Sequence, residues 1–318
     1  MDHFPYHIRT IQPEKDAESI AKLVITCFRP WLDQENINYL NQLRDAGTEA
    51  LAHPIWTKLS GFPYNLPGLV CTDEDGSIIG LVNTYTFFQK ERKCCLISNV
   101  CVDPAHRREG IASHLLHEAE TAQHSESTYG LYLQARMEIP ETYFFYKHNG
   151  FTVTDFRDTW IYPSGKRVPE YELSEFHTEI VSSSEREIFQ KHFQTRYPES
   201  ILWNLDYSSD LFSFGRINDF YKRLTSPVNR FRRIKWQNTE TKAWGAYQQL
   251  AGNFDQLWYI PKDSLDSTQQ IGMLGLLCKE YKGKKALKLD VPASEADVIF
   301  KKAGFVKQQT LAWMWKRL

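Results

Sequence analysis

Residues 100–116 read VCVDPAHRREGIASHLL, and this stretch decides the fold. The apolar run that leads into it ends at Pro104, because proline cannot continue the hydrogen-bonding ladder of a strand. Beyond Gly110, the apolar residues Ile111 and Leu115 recur at helical spacing. The stretch therefore predicts a strand that is followed, after a short loop, by an amphipathic helix.

The loop between this strand and this helix has the chemistry of an anion site. The first backbone N–H groups of a helix have no partner within it, and they lie at the positive end of its dipole. Gly110 and Ala112 carry little or no side chain, so a ligand can approach the backbone closely. Arg107 and Arg108 add fork-shaped charges that suit phosphate oxygens. We therefore predict a phosphate or pyrophosphate site; a plain helix start with surface arginines is the structural alternative.

The segments around the loop alternate between strand and helix patterns. Residues 66–88 predict two strands joined at a D-E-D-G turn. Residues 128–137 predict a further strand, and residues 139–150 predict a helix with proline near its start and glycine at its end. The predicted fold class is α/β (α+β), with a mixed sheet, partly antiparallel and partly parallel, flanked by helices.

Two motifs in this half of the chain resemble those of the GNAT family of N-acetyltransferases. Val100–Leu116 is similar to the family's strand, pyrophosphate loop and helix, and FYKHNGF at residues 145–151 is similar to the family's tyrosine and Gly-Phe ending. The resemblance implies an acyl-CoA N-acyltransferase-like fold that uses acetyl-CoA as the acyl donor. It also implies that the coenzyme contacts Val100, Cys101, Val102, Arg107, Arg108, Glu109, Gly110, Ile111, Ala112 and Ser113.

In the same resemblance, Tyr146 corresponds to the tyrosine that protonates the departing thiolate. A neutral phenol suits this role, because an amine that attacks a thioester expels a thiolate that benefits from a proton donor. Packing among neighbouring aromatic rings is the structural alternative for Tyr146. The sequence departs from the family at Ile139 and Thr142, where Asn and Ala are frequent, and at Ser98 and Asn99, which are not carboxylates. We therefore assign no general base.

The second half of the chain echoes the first. Residues 284–305 repeat the order of residues 130–151, namely strand, proline, acidic residue, helix and Gly-Phe, with Phe300 in the place of Tyr146. The turn that would correspond to the anion loop contains Asp263 and Asp266, whose charge repels phosphate. Two tandem copies are therefore predicted, although chance helix endings at glycine are the alternative. We expect a catalytic acyl-CoA-binding domain at 1–176 and a degenerate domain at 177–318 with a structural or acceptor-shaping role.

Composition excludes several classes of protein. The 318 residues carry 38 basic and 39 acidic side chains, so there is no overall positive charge to attract nucleic acid. Six cysteines show no C-x-x-C spacing, and ten histidines show no close ligand pattern, so we expect no metal site. The start of the chain has no apolar signal stretch and no run is long enough to span a bilayer, so we expect a cytoplasmic protein without membrane contact.

The resemblance thus implies an N-acetyltransferase that transfers an acetyl group from acetyl-CoA to a primary amine, with direct attack by the amine. The acceptor, a small-molecule or peptide amine, is not identified by the sequence, and neither are the length of the acyl group and the oligomeric state. A coenzyme-A-binding sensor or scaffold without turnover is the alternative function.

Overall fold

Strands and helices alternate along residues 4–53, 57, 62–166, 177–205, 207–212, 231–237, 242–281 and 284–318, which the computed structural model describes. The chain divides into two units. The first comprises Met1–Gln134, Lys147–Thr152 and Met314–Leu318, and the second comprises Ala135–Tyr146 and Val153–Trp313. The predicted domain boundary at 176/177 adjoins residues 167–176, which lie outside the described residues, so it stays a prediction.

The first unit has a mixed sheet with helices packed against it. Its elements are β1 (His7–Thr10), α1 (Pro13–Phe28), α2 (Gln34–Ala52), β2 (Gly68–Thr72), β3 (Ile78–Gln89), β4 (Arg92–Val102), α3 (Ile111–Ser125) and β5 (Gly130–Arg136). Its strands follow the order β1-β2-β3-β4-β5. Pairing is antiparallel from β1 to β4 and parallel between β4 and β5.

The turn between β2 and β3 forms as the D-E-D-G sequence predicts. The Asp73 carboxylate accepts a hydrogen bond from the Ser77 N–H at 2.8 Å. Gly76 adopts a φ of 81°, a conformation that glycine reaches without strain. β2 and β3 then pair antiparallel, with Gly68 opposite Asn83. The predicted hairpin is confirmed.

The start of α3 is held close to the sheet because β3 carries a glycine beneath it. A Cβ atom at Gly80 would lie 2.8 Å from Ile111 and 2.9 Å from Leu115. Both of these α3 side chains are buried. The absence of a side chain on Gly80 therefore fixes where α3 begins, and with it the loop that joins β4 to α3.

The second unit also has a mixed sheet. The elements that lie wholly or mostly in it are α4 (Pro140–His148), β6 (Thr152–Tyr162), β7 (His177–Ile180), α5 (Arg186–Arg196), α6 (Glu199–Leu202), β8 (Phe231–Gln237), β9 (Lys242–Gln248), β10 (Phe254–Ile260), α7 (Ser267–Glu280), β11 (Ala286–Pro292), α8 (Asp297–Lys302) and β12 (Val306–Arg317). Its strands follow the order β12-β6-β11-β10-β9-β8-β7, with β10 and β11 parallel. The core is rich in rings, including Trp160, Tyr259 and Phe300.

The elements from β10 onward repeat the order of those from β4 onward. In each series a strand leads to a helix, a parallel strand, a second helix and a further strand. The second helix ends near a glycine with positive φ, 85° at Gly150 and 95° at Gly304. A buried phenylalanine follows each glycine, Phe151 in one case and Phe305 in the other. The repeated order that the sequence predicts is therefore present in the structure.

The predicted α/β class is confirmed by these mixed sheets and their flanking helices. None of the helices within the described ranges is both long enough and apolar enough to cross a membrane.

Candidate functional site

The candidate site is the loop between β4 and α3. The Asp103 carboxylate accepts a hydrogen bond from the Ala105 N–H at 2.9 Å and closes a tight turn directly after β4. The Arg107 Nε then donates to the Val102 carbonyl at 3.4 Å. These two bonds fold the loop back on the end of the strand, and the Arg107 side chain stays exposed there.

Backbone conformation in the second part of the loop leaves the start of α3 open. Arg108 has a φ of 72° and Gly110 has a φ of 80°, both in the left-handed region. Gly110 is the residue before the first turn of α3, and it supplies no side-chain cap. The first turn of α3 contains no acidic residue. The positive end of the helix therefore faces a loop that carries two exposed arginines, which is the arrangement that binds phosphates.

The acidic residue of the loop is engaged by the N-terminal segment. The Tyr6 hydroxyl donates a hydrogen bond to the Glu109 carboxylate. The Phe4 ring stacks on His114 of α3 with a centroid distance of 3.8 Å. The hydrogen bond from Tyr6 therefore fixes the Glu109 side chain, whereas the Glu109 backbone amide remains part of the loop.

A β-bulge bends β4 just before the loop. The pairing with β3 shifts between Leu81 and Asn83, and Asn99 adopts a φ of 50° at this point. The Asn99 side-chain amide donates to the Asn83 side-chain oxygen at 3.0 Å, and the Asn83 amide donates to the Pro67 carbonyl at 3.0 Å. Asparagine tolerates this left-handed conformation better than most residues. The two asparagines therefore stabilise a bend that redirects the last residues of the strand.

Strands β4 and β5 pair over a short distance and then continue separately. Their parallel register joins Cys95 to Leu131 and Leu96 to Tyr132. β4 continues from there to Val102, and β5 continues to Arg136. The bulge at Asn99 lies in this part of β4. The pairing between β4 and β5 therefore ends before the part of β4 that leads to the loop.

A cysteine with a lowered pKa lies beside the loop. The Cys27 thiol of α1 donates to the Val102 carbonyl at 3.4 Å. A hydrogen bond with Cys101 lowers the pKa of Cys27 to about 7; partial burial opposes this change, and Arg107 supports it. The same contact, together with burial, holds the pKa of Cys101 well above its usual range. The contacts of Cys27 therefore favour its thiolate form next to the predicted pyrophosphate site.

Tyr146, the predicted proton donor, lies on α4. Its side chain is 6% exposed, and its ring meets that of Phe145 edge to face at 5.1 Å. It is the last residue of the segment Ala135–Tyr146, which belongs to the second unit, whereas the loop belongs to the first. Tyr146 is thus a buried residue of α4.

The predicted coenzyme-contacting residues form two runs, Val100–Val102 at the end of β4 and Arg107–Ser113 from the loop to the first turn of α3. Among them, Cys101 and Ile111 are buried and act as anchors, whereas Arg107, Arg108 and Gly110 are exposed. Sequence reasoning missed Cys27 and the Asn83–Asn99 pair. An asparagine within an apolar strand run was the signal for the bulge. The contact of Cys27 has no local signal, because its partners Cys101 and Val102 lie in a distant segment.

Comparisons with known proteins give a family model for part of the chain. Residues 67–153 match the family model described as an acetyltransferase (GNAT) domain. No curated protein matches the chain.

Among the described residues, there is no group of three or more His, Cys, Asp and Glu side chains that could hold a metal ion.

Two solved structures are similar in fold. One is a GCN5-related N-acetyltransferase from Sphaerobacter thermophilus, with a TM-score of 0.56 and 12% identity, over 98% of this chain and 96% of that one. The other is a fungal multi-domain β-N-acetylglucosaminidase that contains a GCN5-related glucosamine N-acetyltransferase region, with a TM-score of 0.54 and 11% identity. It matches 98% of this chain over 38% of its own length. At these identities the similarity concerns the fold alone.

Proposed function

We propose that this chain, an acyltransferase with a GNAT acetyltransferase domain over residues 67–153, transfers an acetyl group from acetyl-CoA to a primary amine. The observation that carries the proposal is the uncapped start of α3. Gly110 leaves that helix end open, and two exposed arginines precede it. A pyrophosphate is the kind of anion that such a helix end binds.

In this proposal the loop binds the pyrophosphate of acetyl-CoA. Backbone N–H groups from Arg107 to Ala112 donate to the phosphate oxygens, and the two arginine side chains contribute charge-assisted hydrogen bonds. Ser113 lies at the edge of this set, because its own N–H donates to the Gly110 carbonyl at 3.0 Å. The conformation of Gly110 supports this role, because its φ of 80° directs the chain into α3 without a side chain in the way.

The pantetheine arm is proposed to lie along the end of β4. An extended chain with amide groups can pair with the backbone of Val100, Cys101 and Val102, as an added strand would. The end of the β4–β5 pairing at Leu96 supports this, because the backbone of β4 that follows is not paired with β5 in that register. The thioester would then be oriented by the strand itself.

Tyr146 is proposed as the general acid. The amine attacks the thioester carbonyl, the carbon–sulfur bond breaks, and the phenol gives its proton to the sulfur of the leaving coenzyme A. A phenol is neutral at pH 7, so it can donate without first being charged. The buried position of Tyr146 supports a fixed orientation of the hydroxyl.

Residues 177–318 are proposed as a degenerate domain that binds no coenzyme A. Asp266, the residue before α7, accepts a hydrogen bond from the Gln269 N–H at 2.8 Å and so occupies the helix end with its own carboxylate. A phosphate there would meet a negative charge and an amide that already has a partner.

The six free cysteines fit a reducing compartment such as the cytoplasm.

Release of free coenzyme A thiol from acetyl-CoA, measured across a panel of amines, tests the proposal. The panel includes polyamines, amino sugars, peptides with a free N-terminus and peptides with lysine. At least one class of amine should accelerate thiol release well above the rate with water alone. If acetyl-CoA binds but no amine accelerates release, the protein is a coenzyme-A-binding sensor or scaffold instead.

A further inference from the structure

Two cysteines of the first unit lie in contact beside the candidate loop. Cys27 is near the end of α1, and Cys101 is near the end of β4. Both belong to the hydrophobic cluster that α1 and α2 form with the sheet, in which Cys101 is buried and Cys27 is partly buried. The Cys101 thiol donates a hydrogen bond to the Cys27 sulfur, and neither residue forms a disulfide. The fold therefore brings a partly exposed cysteine and a buried one to the same point.

The Cys27 sulfur is connected to the loop through one carbonyl group. It donates to the Val102 carbonyl oxygen at 3.4 Å, and Arg107 Nε donates to the same oxygen, also at 3.4 Å. Arg107 also contacts the Cys27 sulfur directly through a hydrogen bond. A chemical change at Cys27 therefore acts on the last residue of β4 and on one of the two arginines of the loop.

Cys27 has the properties of a thiol that peroxides oxidise. The hydrogen bond from Cys101 lowers the pKa of Cys27 against partial burial, with support from Arg107, and so favours the thiolate, which is the nucleophilic form. Its side chain is partly exposed, whereas Cys71 and Cys95 of the same unit are fully buried. Burial raises the pKa of both of these thiols and keeps them in the less reactive form. Oxidation is therefore favoured at Cys27, where the Cys101 thiol is in contact with the product.

We propose that Cys27 and Cys101 are a redox-modification site, at which hydrogen peroxide produces a reversible disulfide. The Cys27 thiolate attacks one oxygen of the peroxide, the O–O bond breaks, hydroxide leaves, and Cys27 carries a sulfenic acid. The Cys101 sulfur then attacks the Cys27 sulfur, the S–O bond breaks, and the hydroxyl group leaves with the Cys101 proton as water. The two sulfur atoms together lose two electrons, and the peroxide gains them. In a reducing compartment such a disulfide is transient, because thiols reverse it.

The disulfide changes the end of β4. Two sulfur atoms in a disulfide are closer together than two thiols in a hydrogen bond, so α1 and β4 have to approach each other or rotate. The Cys27 sulfur then no longer donates to the Val102 carbonyl, and the backbone next to the loop is displaced. The effect on the coenzyme rests on the proposed function: if the loop binds acetyl-CoA, the oxidised protein binds it more weakly.

The test is mass spectrometry of the full chain after mild treatment with hydrogen peroxide, with the remaining thiols alkylated before digestion. Two peptides joined through Cys27 and Cys101 should appear before any other cysteine is oxidised, and dithiothreitol should separate them. Cys101→Ala, which keeps a small apolar side chain, should leave Cys27 as a sulfenic acid that dimedone captures. Cys278→Ala, in the second unit, is the control and should form the link as the original protein does. Absence of the link, or conversion of Cys27 to a sulfinic acid while Cys101 keeps its thiol, overturns the proposal.

Calorimetric titration with acetyl-CoA tests the effect on the loop. The oxidised protein should bind acetyl-CoA at least ~3-fold more weakly than the reduced protein, and dithiothreitol should restore the affinity. Cys27→Ala should show the same affinity with and without peroxide treatment. Equal affinities of the two forms of the original protein, with the disulfide present, would overturn the effect on the loop. If the reduced protein binds no acetyl-CoA, the proposed function fails, whereas the mass measurement still decides whether the disulfide forms.

Discussion

Gly110 and Asp266 occupy equivalent positions in two repeated segments, but only Asp266 caps the helix that follows with its side chain. Gly110 precedes α3 and supplies no cap, whereas Asp266 precedes α7 and closes a capping box with Gln269. An uncapped helix start favours an external anion, and a carboxylate cap takes the place of one. This difference of one residue type explains why one copy of the fold is expected to hold a pyrophosphate and the other is not.

Replacing Gly110 with valine should weaken acetyl-CoA binding by at least about tenfold. A β-branched residue is strained at a φ of 80°, by roughly 1–2 kcal/mol, and relief of this strain moves the amides that face the ligand. Titration calorimetry measures the change in affinity. Gly76→Val is the matched control, because Gly76 has a φ of 81° in the β2–β3 turn. Equal affinities of the original protein and the Gly110 variant would remove the loop from the site.

Tyr146→Phe should lower turnover by ~10²–10⁴ and leave acetyl-CoA affinity little changed. The substitution keeps the ring and its packing and removes the proton donor. Tyr143→Phe, on the same helix, is the control and should retain full activity. Steady-state rates with the best amine of the panel measure both. Near-normal turnover in the Tyr146 variant would assign protonation to water or another residue.

Cys27 should be the first cysteine alkylated by iodoacetamide, with a rate that rises between about pH 6 and pH 8. The thiolate is the reactive form, and its fraction increases as the pH passes upward through a pKa of about 7. By contrast, burial raises the pKa of Cys71 to about 11 and that of Cys95 to about 12. Mass spectrometry of the labelled peptides gives the order.

Acetyl-CoA should slow this labelling, because its pyrophosphate engages Arg107 and removes part of the support for the Cys27 thiolate. Cys27→Ser should eliminate the fast phase. Fast labelling that persists in that variant, or that is insensitive to saturating acetyl-CoA, would contradict the arrangement of Cys27 beside the site.

The last residues of the chain should matter for stability. Met314 is 1% exposed, and nearby Lys316 pairs with Glu120 of α3 at 2.6 Å. Met314→Ala should lower the free energy of unfolding by ~2–5 kcal/mol, through lost burial and a cavity. Val306→Ala, at an exposed position of the same strand, should change it by less than about 0.5 kcal/mol. Chemical denaturation followed by circular dichroism compares the two. Equal stabilities would show that the end of β12 is dispensable.

Local sequence signals were sufficient for the elements that form the loop. Proline after β4, glycine before α3 and apolar residues at helical spacing each act over a few residues, so they could be interpreted directly from the chain. The hairpin at Asp73–Gly76 and the helix that begins at Pro140 were predictable for the same reason. The candidate loop therefore depends on short-range chemistry.

Long-range pairings could not be predicted in this way. The end of β12 belongs to the first unit although more than 160 residues separate it from the nearest earlier segment of that unit, Lys147–Thr152. Arg196 and Glu295 lie 99 residues apart and form an ion pair, because the fold of the second unit brings α5 next to the start of α8. The packing of the whole unit determines which residues meet over such distances. The periodicity within one segment contains no information about that packing.

The most direct measurement of the central claim is the number and location of acetyl-CoA sites, obtained by calorimetric titration of the full chain. The account predicts one site per chain, lost or strongly weakened in Gly110→Val and retained in Asp266→Ala. Two sites per chain, or one site that survives Gly110→Val and is abolished by a change in the second unit, would contradict it.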